Sequence, residues 1–235
     1  MSQAVMRTAR WRPPQPVGAV LFDLDGTLAD TAPDLAAAVN RMRVRRGRDA
    51  LPLELLRPVA SHGARGLLRV GMDVGPEHPD FEGLKREFLD EYERALAVHT
   101  RLFDGASSLL DALERAGVAW GVVTNKVMRF AAPVLEGLGL AARAGVLVGG
   151  DTTPHPKPHP APLLEACRRL QVPAHRAVYV GDDLRDVQAA RAAGMPAIAA
   201  RYGYLGDGEP IERWGADEII DHLEELVTLL HIKPS

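Results

Sequence analysis

The sequence predicts an α/β protein: a doubly wound parallel sheet with a helical domain inserted after its first strand. Three observations carry that prediction. Residues 17–22 (Val-Gly-Ala-Val-Leu-Phe) form a short apolar run of the kind buried parallel strands show, closed by Asp23-Leu24-Asp25-Gly26-Thr27. Residues from about 32 to 100 carry helical periodicity and no strand signal. From Gly105 onward, helices and short apolar runs alternate, the pattern of βαβ units.

In chain order, Thr31 is placed to cap the first helix, with Pro33 in its first turn and Asp34 three residues on. Leu35, Val39 and Met42 keep helical spacing until Gly47 stops it. Further helices are expected at about 53–59, after Ser61-His62-Gly63, and at about 81–97, where Phe81, Leu84, Phe88, Tyr92 and Leu96 recur at helical spacing. Helix 106–116 ends at Gly117, and strand 118–123 precedes a helix running to about 138. Strand 145–148, helix 159–170, strand 177–180, helix 184–193 and strand 197–200 complete the alternation. The expected organisation is a core of residues 17–31 and 101–235 and a helical domain of residues 32–100. Residues 1–16, with Arg7, Arg10, Arg12 and three prolines, read as a poorly ordered tail.

The chain has 235 residues, 46% of them hydrophobic and 25% charged, as in ordinary globular proteins. A net charge of −3 argues against nucleic acid as the main partner. The one cysteine, Cys167, cannot form an internal disulfide, which points to a reducing compartment. Its helical neighbours Leu163, Leu164 and Leu170 mark it as a core residue. No apolar run spans a bilayer, and residues 1–16 do not look like a secretory signal. A cytoplasmic monomer or homodimer is expected.

Alternate side chains of an extended segment point the same way, so Asp23 and Asp25 converge on one spot. That spot is the crevice at the strand's C-terminal end, where open α/β sheets bind ligands. Two carboxylates held together need a cation or a shared proton. Further polar clusters follow other strands: Thr124-Asn125-Lys126 after Val122-Val123, and Gly181-Asp182-Asp183-Leu184-Arg185-Asp186 after Val178-Tyr179-Val180. Lys157 lies between them, just before a helix. Parallel strands bring all these groups to one edge. With Asp182 as a third carboxylate, the hard oxygens suit Mg²⁺. Lys157 supplies a positive point charge for phosphate, and the Thr124 hydroxyl and nearby N–H groups can donate to the same oxygens. A carboxylate nucleophile forms an acyl phosphate, with Asp25 placed to protonate the leaving oxygen and then deprotonate water. Taken one at a time, the same features also read as a turn, a surface lysine and a helix cap.

The four motifs, Asp-x-Asp-Gly-Thr, Thr-Asn, Lys-Pro and Gly-Asp-x-x-x-Asp, resemble in that order those of the haloacid dehalogenase superfamily of phosphohydrolases, over nearly all of residues 17–225. The resemblance implies a Rossmann-like core with a helical cap inserted after the first motif. It implies Asp23 as nucleophile and Asp25 as acid/base that also lends its backbone carbonyl to Mg²⁺. Asp182 becomes the third metal ligand, Asp186 a ligand through water or a support, and Thr124, Asn125 and Lys157 the phosphate-binding set. Asp25 separates the chain from the superfamily's dehalogenases, which lack the second aspartate. Sugar phosphomutases of the superfamily usually carry a cap histidine near the position of Leu35.

Asp30-Thr31-Ala32-Pro33-Asp34 resembles the phosphoglycolate phosphatase branch. Ala97-Val98-His99-Thr100, Trp120 to Lys126, Arg129-Phe130-Ala131, Arg201-Tyr202-Gly203-Tyr204 and Trp214-Gly215-Ala216-Asp217 resemble bacterial N-acetylmuramic acid 6-phosphate phosphatases. The implied activity is a Mg²⁺-dependent phosphomonoesterase acting on a small carboxylate-bearing phosphate or sugar phosphate. A sugar phosphomutase and a non-catalytic phosphometabolite-binding protein are the competing readings.

Substrate contacts are expected from the helical domain. Ser61-His62-Gly63-Ala64-Arg65-Gly66 offers backbone approach, Arg65 for a substrate carboxylate, and His62. Arg41, Arg45 and Arg48 share a helical face that reads as solvated or as a positive field for anions. His99 and Arg101, near the return to the core, are candidate hinge residues.

Overall fold

A computed structural model describes residues 11–14, 16–205 and 208–232, so most of the expected 1–16 tail lies outside the described residues. The first strand, β1 (Ala19–Phe22), leads to the short β2 (Ala29–Asp30). Four helices follow: α1 (Ala32–Arg45), α2 (Leu53–Leu56), α3 (Gly63–Met72) and α4 (Phe81–Glu93). The chain returns through β3 (Arg101–Leu102) and continues with α5 (Ala106–Arg115), β4 (Ala119–Val123), α6 (Met128–Gly137) and β5 (Val146–Val148). It closes with α7 (Ala161–Leu170), β6 (Ala177–Gly181), α8 (Leu184–Ala192), β7 (Ala197–Ala200), β8 (Glu218–Ile220) and α9 (Glu225–Leu229).

Six strands form one parallel sheet in the order β5-β4-β1-β6-β7-β8. Strand alternation divides the core into two faces. Val20 and Phe22 pack with Leu109 and Leu113 of α5, Val134 of α6 and Leu226 of α9. Ala19 and Leu21 pack on the other side with Leu163 and Cys167 of α7 and Val187 of α8. Helices thus cover both faces, and the doubly wound α/β architecture follows. Cys167 is buried here, which pushes its thiol up to about 11 and leaves it inert at neutral pH.

Three short strands and the last helix, α9, are absent from the sequence-based expectation. Strand β8 is only three residues long, too short for a periodicity signal, and pairs with β7 at the sheet edge. Strands β2 and β3 are two residues each and pair antiparallel, setting Asp30 against Arg101. They lay the two crossings between the sheet and the helical insertion side by side. Asp34, expected in a capping box, instead accepts hydrogen bonds from the His99 N–H (3.0 Å), the Thr100 N–H (2.8 Å) and the Thr100 hydroxyl (2.7 Å). A buried carboxylate so satisfied ties the start of α1 to the returning chain.

The insertion has its own core. Leu35, Val39 and Met42 of α1 meet Leu67 and Leu68 of α3 and Phe88 and Tyr92 of α4, joined by Phe130 and Tyr204 from the sheet side. The arginine-rich end of α1 is neither a bare solvated face nor a free positive field. Arg41 and Arg45 pair with Glu91 (2.9 and 2.7 Å), Arg45 and Arg46 with Glu87 (3.0 and 2.6 Å), and Arg48 with Asp73 (2.5 Å). Burial pushes the Glu91 carboxyl up, but the hydrogen bonds from Arg45 and Arg41 outweigh it and leave the group below its ordinary value. This seam clamps α1 to α4.

Candidate active site

Strands β4, β1 and β6 are neighbours in the sheet, and each ends on a polar residue: Thr124, Asp23 and Asp182. Their register (Phe22 against Val122 and Val180) puts Thr124 and Asp182 one residue further along their strands than Asp23, all at the same edge of the sheet. One carboxylate oxygen each from Asp23, Asp182 and Asp186 lies within 4.8 Å of the others, all three residues buried.

Asp182 is fully buried. Its Oδ1 accepts from the Thr27 hydroxyl (2.7 Å) and its Oδ2 from the Tyr204 N–H (2.9 Å). A Cβ at Gly26 (φ 86°) or at Gly203 would run into this side chain, so both positions must be glycine. Burial, then the charges of Asp23 and Asp186, hold the Asp182 carboxyl well above its ordinary value. Asp23 behaves alike: burial pushes it up to about 7, Lys157 opposes this, and Asp186 and Asp25 add to it. Its Oδ1 is buried with no hydrogen-bond partner, although Lys157 Nζ stands 3.0 Å away.

Lys157 is the sheet edge's fixed cation. Its Nζ donates to Asp186 Oδ1 (2.6 Å), the Tyr179 hydroxyl (2.7 Å) and the Val123 carbonyl (3.2 Å). Burial would lower its pKa, but Asp186 and Asp23 more than reverse this, so it stays charged. Asn125 braces it: the Asn125 amide donates to the Lys157 carbonyl, and its Oδ1 accepts from the Lys157 N–H, both at 2.9 Å. Asn125 therefore grips the lysine's backbone rather than standing free toward a phosphate. Asp186 closes a capping box on α8 by accepting from the Asp183 N–H (3.0 Å). The Thr124 hydroxyl is buried and accepts from the Lys126 N–H (3.1 Å).

Asp25 stands apart from the three-carboxylate cluster. Its Oδ1 accepts from the Thr31 hydroxyl (2.5 Å) and pairs with Lys126 Nζ (2.9 Å). Thr31 is thus drawn into the site and makes no side-chain cap on α1. The Tyr204 hydroxyl takes over that end, accepting from the Thr31 and Ala32 N–H groups (2.8 and 2.9 Å) and donating to Asp30 (2.9 Å). No local pattern marks Tyr204 for this role, 173 residues from Thr31.

The carboxylates open into a cavity of about 360 Å³. Its far wall comes from the insertion and α6: Leu35, Phe88, Leu89 and Phe130 are apolar, and Ser61, His62 and Lys85 are polar. Arg65 is not brought to this cavity; it faces an outer chamber that shares His62, Ala64, Lys85 and Arg185 with the inner one. Lys85 had no motif to mark it. Arg185 joins sheet and insertion, holding Asp183 (2.7 Å) and donating to the Ser61 carbonyl (3.0 Å).

Residues 20–200 match the haloacid dehalogenase-like hydrolase family. The chain belongs to that family. This phosphatase is 45% identical over 212 residues to the N-acetylmuramic acid 6-phosphate phosphatase of Pseudomonas aeruginosa, covering 90% of the chain and 94% of the relative. It is 50% identical over 212 residues to the phosphoglycolate phosphatase of Xanthomonas campestris, covering 88% and 94%. A solved structure of a predicted phosphoglycolate phosphatase from Haemophilus somnus superposes with a TM-score of 0.79 at 28% identity, covering 91% of this chain and 98% of that one. Phosphatases of this family generally use Mg²⁺. Among the described residues of this phosphatase, no helix is long and apolar enough to cross a membrane.

Proposed function

We propose that this phosphatase hydrolyses a phosphate monoester of a carboxylate-bearing sugar, of the N-acetylmuramic acid 6-phosphate type, through an aspartyl-phosphate on Asp23. The supporting observation is the wall facing the carboxylates. A cavity of about 360 Å³ lined by Leu35, Phe88, Leu89 and Phe130 matches a substrate with apolar substituents. Phosphoglycolate has a two-carbon body and nothing to cover those side chains. It is the second reading, favoured by the 50% identity to a relative of that name. Lys85, at the junction of the two chambers, is the cation placed for the substrate carboxylate. The apolar Leu35 cannot move a proton, which argues against a phosphomutase.

Asp23 attacks phosphorus, the P–O bond to the sugar breaks, and Asp25 gives the leaving oxygen its proton. Asp25 then takes a proton from water as the water attacks the acyl phosphate, releasing inorganic phosphate and restoring Asp23. Lys157 holds phosphoryl oxygens beside Asp23, and the Thr124 hydroxyl donates to them. The residues fit Mg²⁺: three converging hard oxygens, an unpartnered buried Asp23 Oδ1, and two carboxyls pushed upward by burial and then by the charge of neighbouring carboxylates. Asp23 and Asp182 would hold it with the Asp25 carbonyl, and Asp186 would support through water. The ion, when bound, offsets repulsion between Asp23 and the phosphate dianion.

A panel assay with Mg²⁺ tests this reading. The muramic sugar phosphate should exceed 2-phosphoglycolate and hexose phosphates in kcat/KM by about tenfold or more, one well-placed contact's worth. Lys85→Ala should narrow that gap. A preference for phosphoglycolate, or isomerised sugar phosphate in place of inorganic phosphate, overturns it.

A further inference from the structure

Lys126 is a buried cation that no step above uses. Its side chain is 8% exposed, and it does not point at the nucleophile. Its ion pair is with Asp25 Oδ1 at 2.9 Å, its Nζ donates to the Tyr92 hydroxyl at 3.1 Å, and it sits 4.7 Å from the centre of the Tyr92 ring. Lys126 comes from the turn after β4, whereas Tyr92 comes from α4 of the insertion. Tyr92 is itself locked, stacked on Phe88 (6.4 Å) and tilted against Phe130 of α6 (5.6 Å).

We propose that Lys126 is a positioning residue that holds Asp25 for proton transfer, and that Tyr92 sets Lys126, so that the acid–base group is fully placed only while α4 is seated on the sheet edge. The proposal rests on the acid–base reading of Asp25. A buried ammonium is a strongly hydrated point charge that stays buried only with partners on most sides. Here those partners are a carboxylate from the sheet edge and a hydroxyl and ring face from the insertion. Withdrawing α4 would remove the second pair and let water reach Lys126. Both holding contacts on Asp25, from Lys126 and from Thr31, fall on Oδ1. Among the described residues no hydrogen bond reaches Oδ2, so that oxygen is left for the substrate. Thr31 opens the insertion and Tyr92 lies near the end of its last helix, so the carboxylate is gripped from both ends of that segment. A phosphate-clamp role for Lys126 would duplicate Lys157, which already stands 3.0 Å from Asp23.

The test is the rate of enzyme phosphorylation, measured as the first-turnover burst of released alcohol with Mg²⁺ present. Two probes are compared: p-nitrophenyl phosphate, whose leaving group needs no proton, and an alkyl phosphate, whose leaving group does. Asp25→Ala should slow the alkyl burst far more than the aryl burst. Lys126→Met should show the same selectivity, the alkyl rate falling about 100-fold further than the aryl rate, as a misplaced catalytic group does. Lys126→Arg should recover part of that ratio. Tyr92→Phe keeps the ring and its packing, guards against a misfolded lysine variant, and should show the same selectivity at a smaller size. Equal slowing of both probes by Lys126→Met and Tyr92→Phe, with Asp25→Ala selective, would mean a phosphate contact or a purely structural role and overturn the proposal. An unselective Asp25→Ala would overturn the acid–base reading and the proposal with it.

Discussion

The two walls of the cavity are held by opposite means. On the sheet edge the charged groups are largely buried and held by several contacts each: Lys157 has four oxygen neighbours, Asn125 grips its backbone twice, and Asp182 accepts on both oxygens. On the insertion, Tyr92 apart, the polar groups are loose. Lys85 is 41% exposed with only Glu82 at 3.4 Å, and His62 and Arg65 are exposed. Chemistry that recurs unchanged at each turnover needs groups locked in place, because small displacements of reacting atoms are expensive. Recognition of a variable leaving group tolerates adaptable side chains.

The largest expected effect tests the rigid wall. Asp23→Asn should lower phosphate release on the order of 10⁴-fold or more, as loss of a nucleophile does. The metal-free variant should melt no lower than wild type, because it removes one of three crowded carboxylates. Thermal melts beside a phosphate-release assay check both, and retained turnover in protein cleared of contaminants would break the comparison at its root.

The next effect is the pH dependence of that crowding. In chelator-treated protein the Asp23 carboxyl lies at about 7 against an ordinary 3.8, so the folded state keeps a proton that the unfolded chain loses. The stability tied to that proton is complete below about 3.8 and is lost as pH rises through about 7. The melting temperature of wild type relative to Asp23→Asn should therefore fall between about pH 4 and about pH 7 and level off above that, and Mg²⁺ should restore it most at the higher pH. A difference that rises with pH would contradict the burial of Asp23.

Asn125→Ala is expected to act less strongly. It removes two hydrogen bonds to the Lys157 backbone, worth about 1–2 kcal/mol together, and should lower kcat/KM about tenfold with the loosened lysine. Kinetics that do not change would assign the grip to folding alone. The smallest effect belongs to the insertion's outer seam. Glu87→Ala removes half-exposed pairs with Arg45 and Arg46 and should cost less than about 1 kcal/mol in denaturant melts. The salt dependence of kcat/KM should not change, since those arginines serve α4 and not the substrate.

The rigid wall was legible in the sequence and the adaptable wall was not. Asp23, Thr124 and Asp182 follow apolar strands, and the common direction of parallel neighbours is enough to bring them to one edge. Lys85 and Tyr92 sit on a helix whose spacing announces a buried face but not what that face meets. Thr31 had the right residue type for a cap, yet a carboxylate six residues earlier in the chain competes for its hydroxyl and wins. Arg65 had the right charge for a substrate carboxylate, but its place on α3 turns it to the outer chamber.

By itself the sequence determined the α/β architecture, the helical insertion and the carboxylate edge, because those depend on periodicity and on the common direction of parallel strands. The tertiary structure alone decided that Tyr204 would cap α1, that Asn125 would hold Lys157, and that Lys126 would lie between Asp25 and Tyr92. Each of those contacts joins residues more than thirty positions apart, and their geometry is set by packing, which leaves no local pattern in the chain.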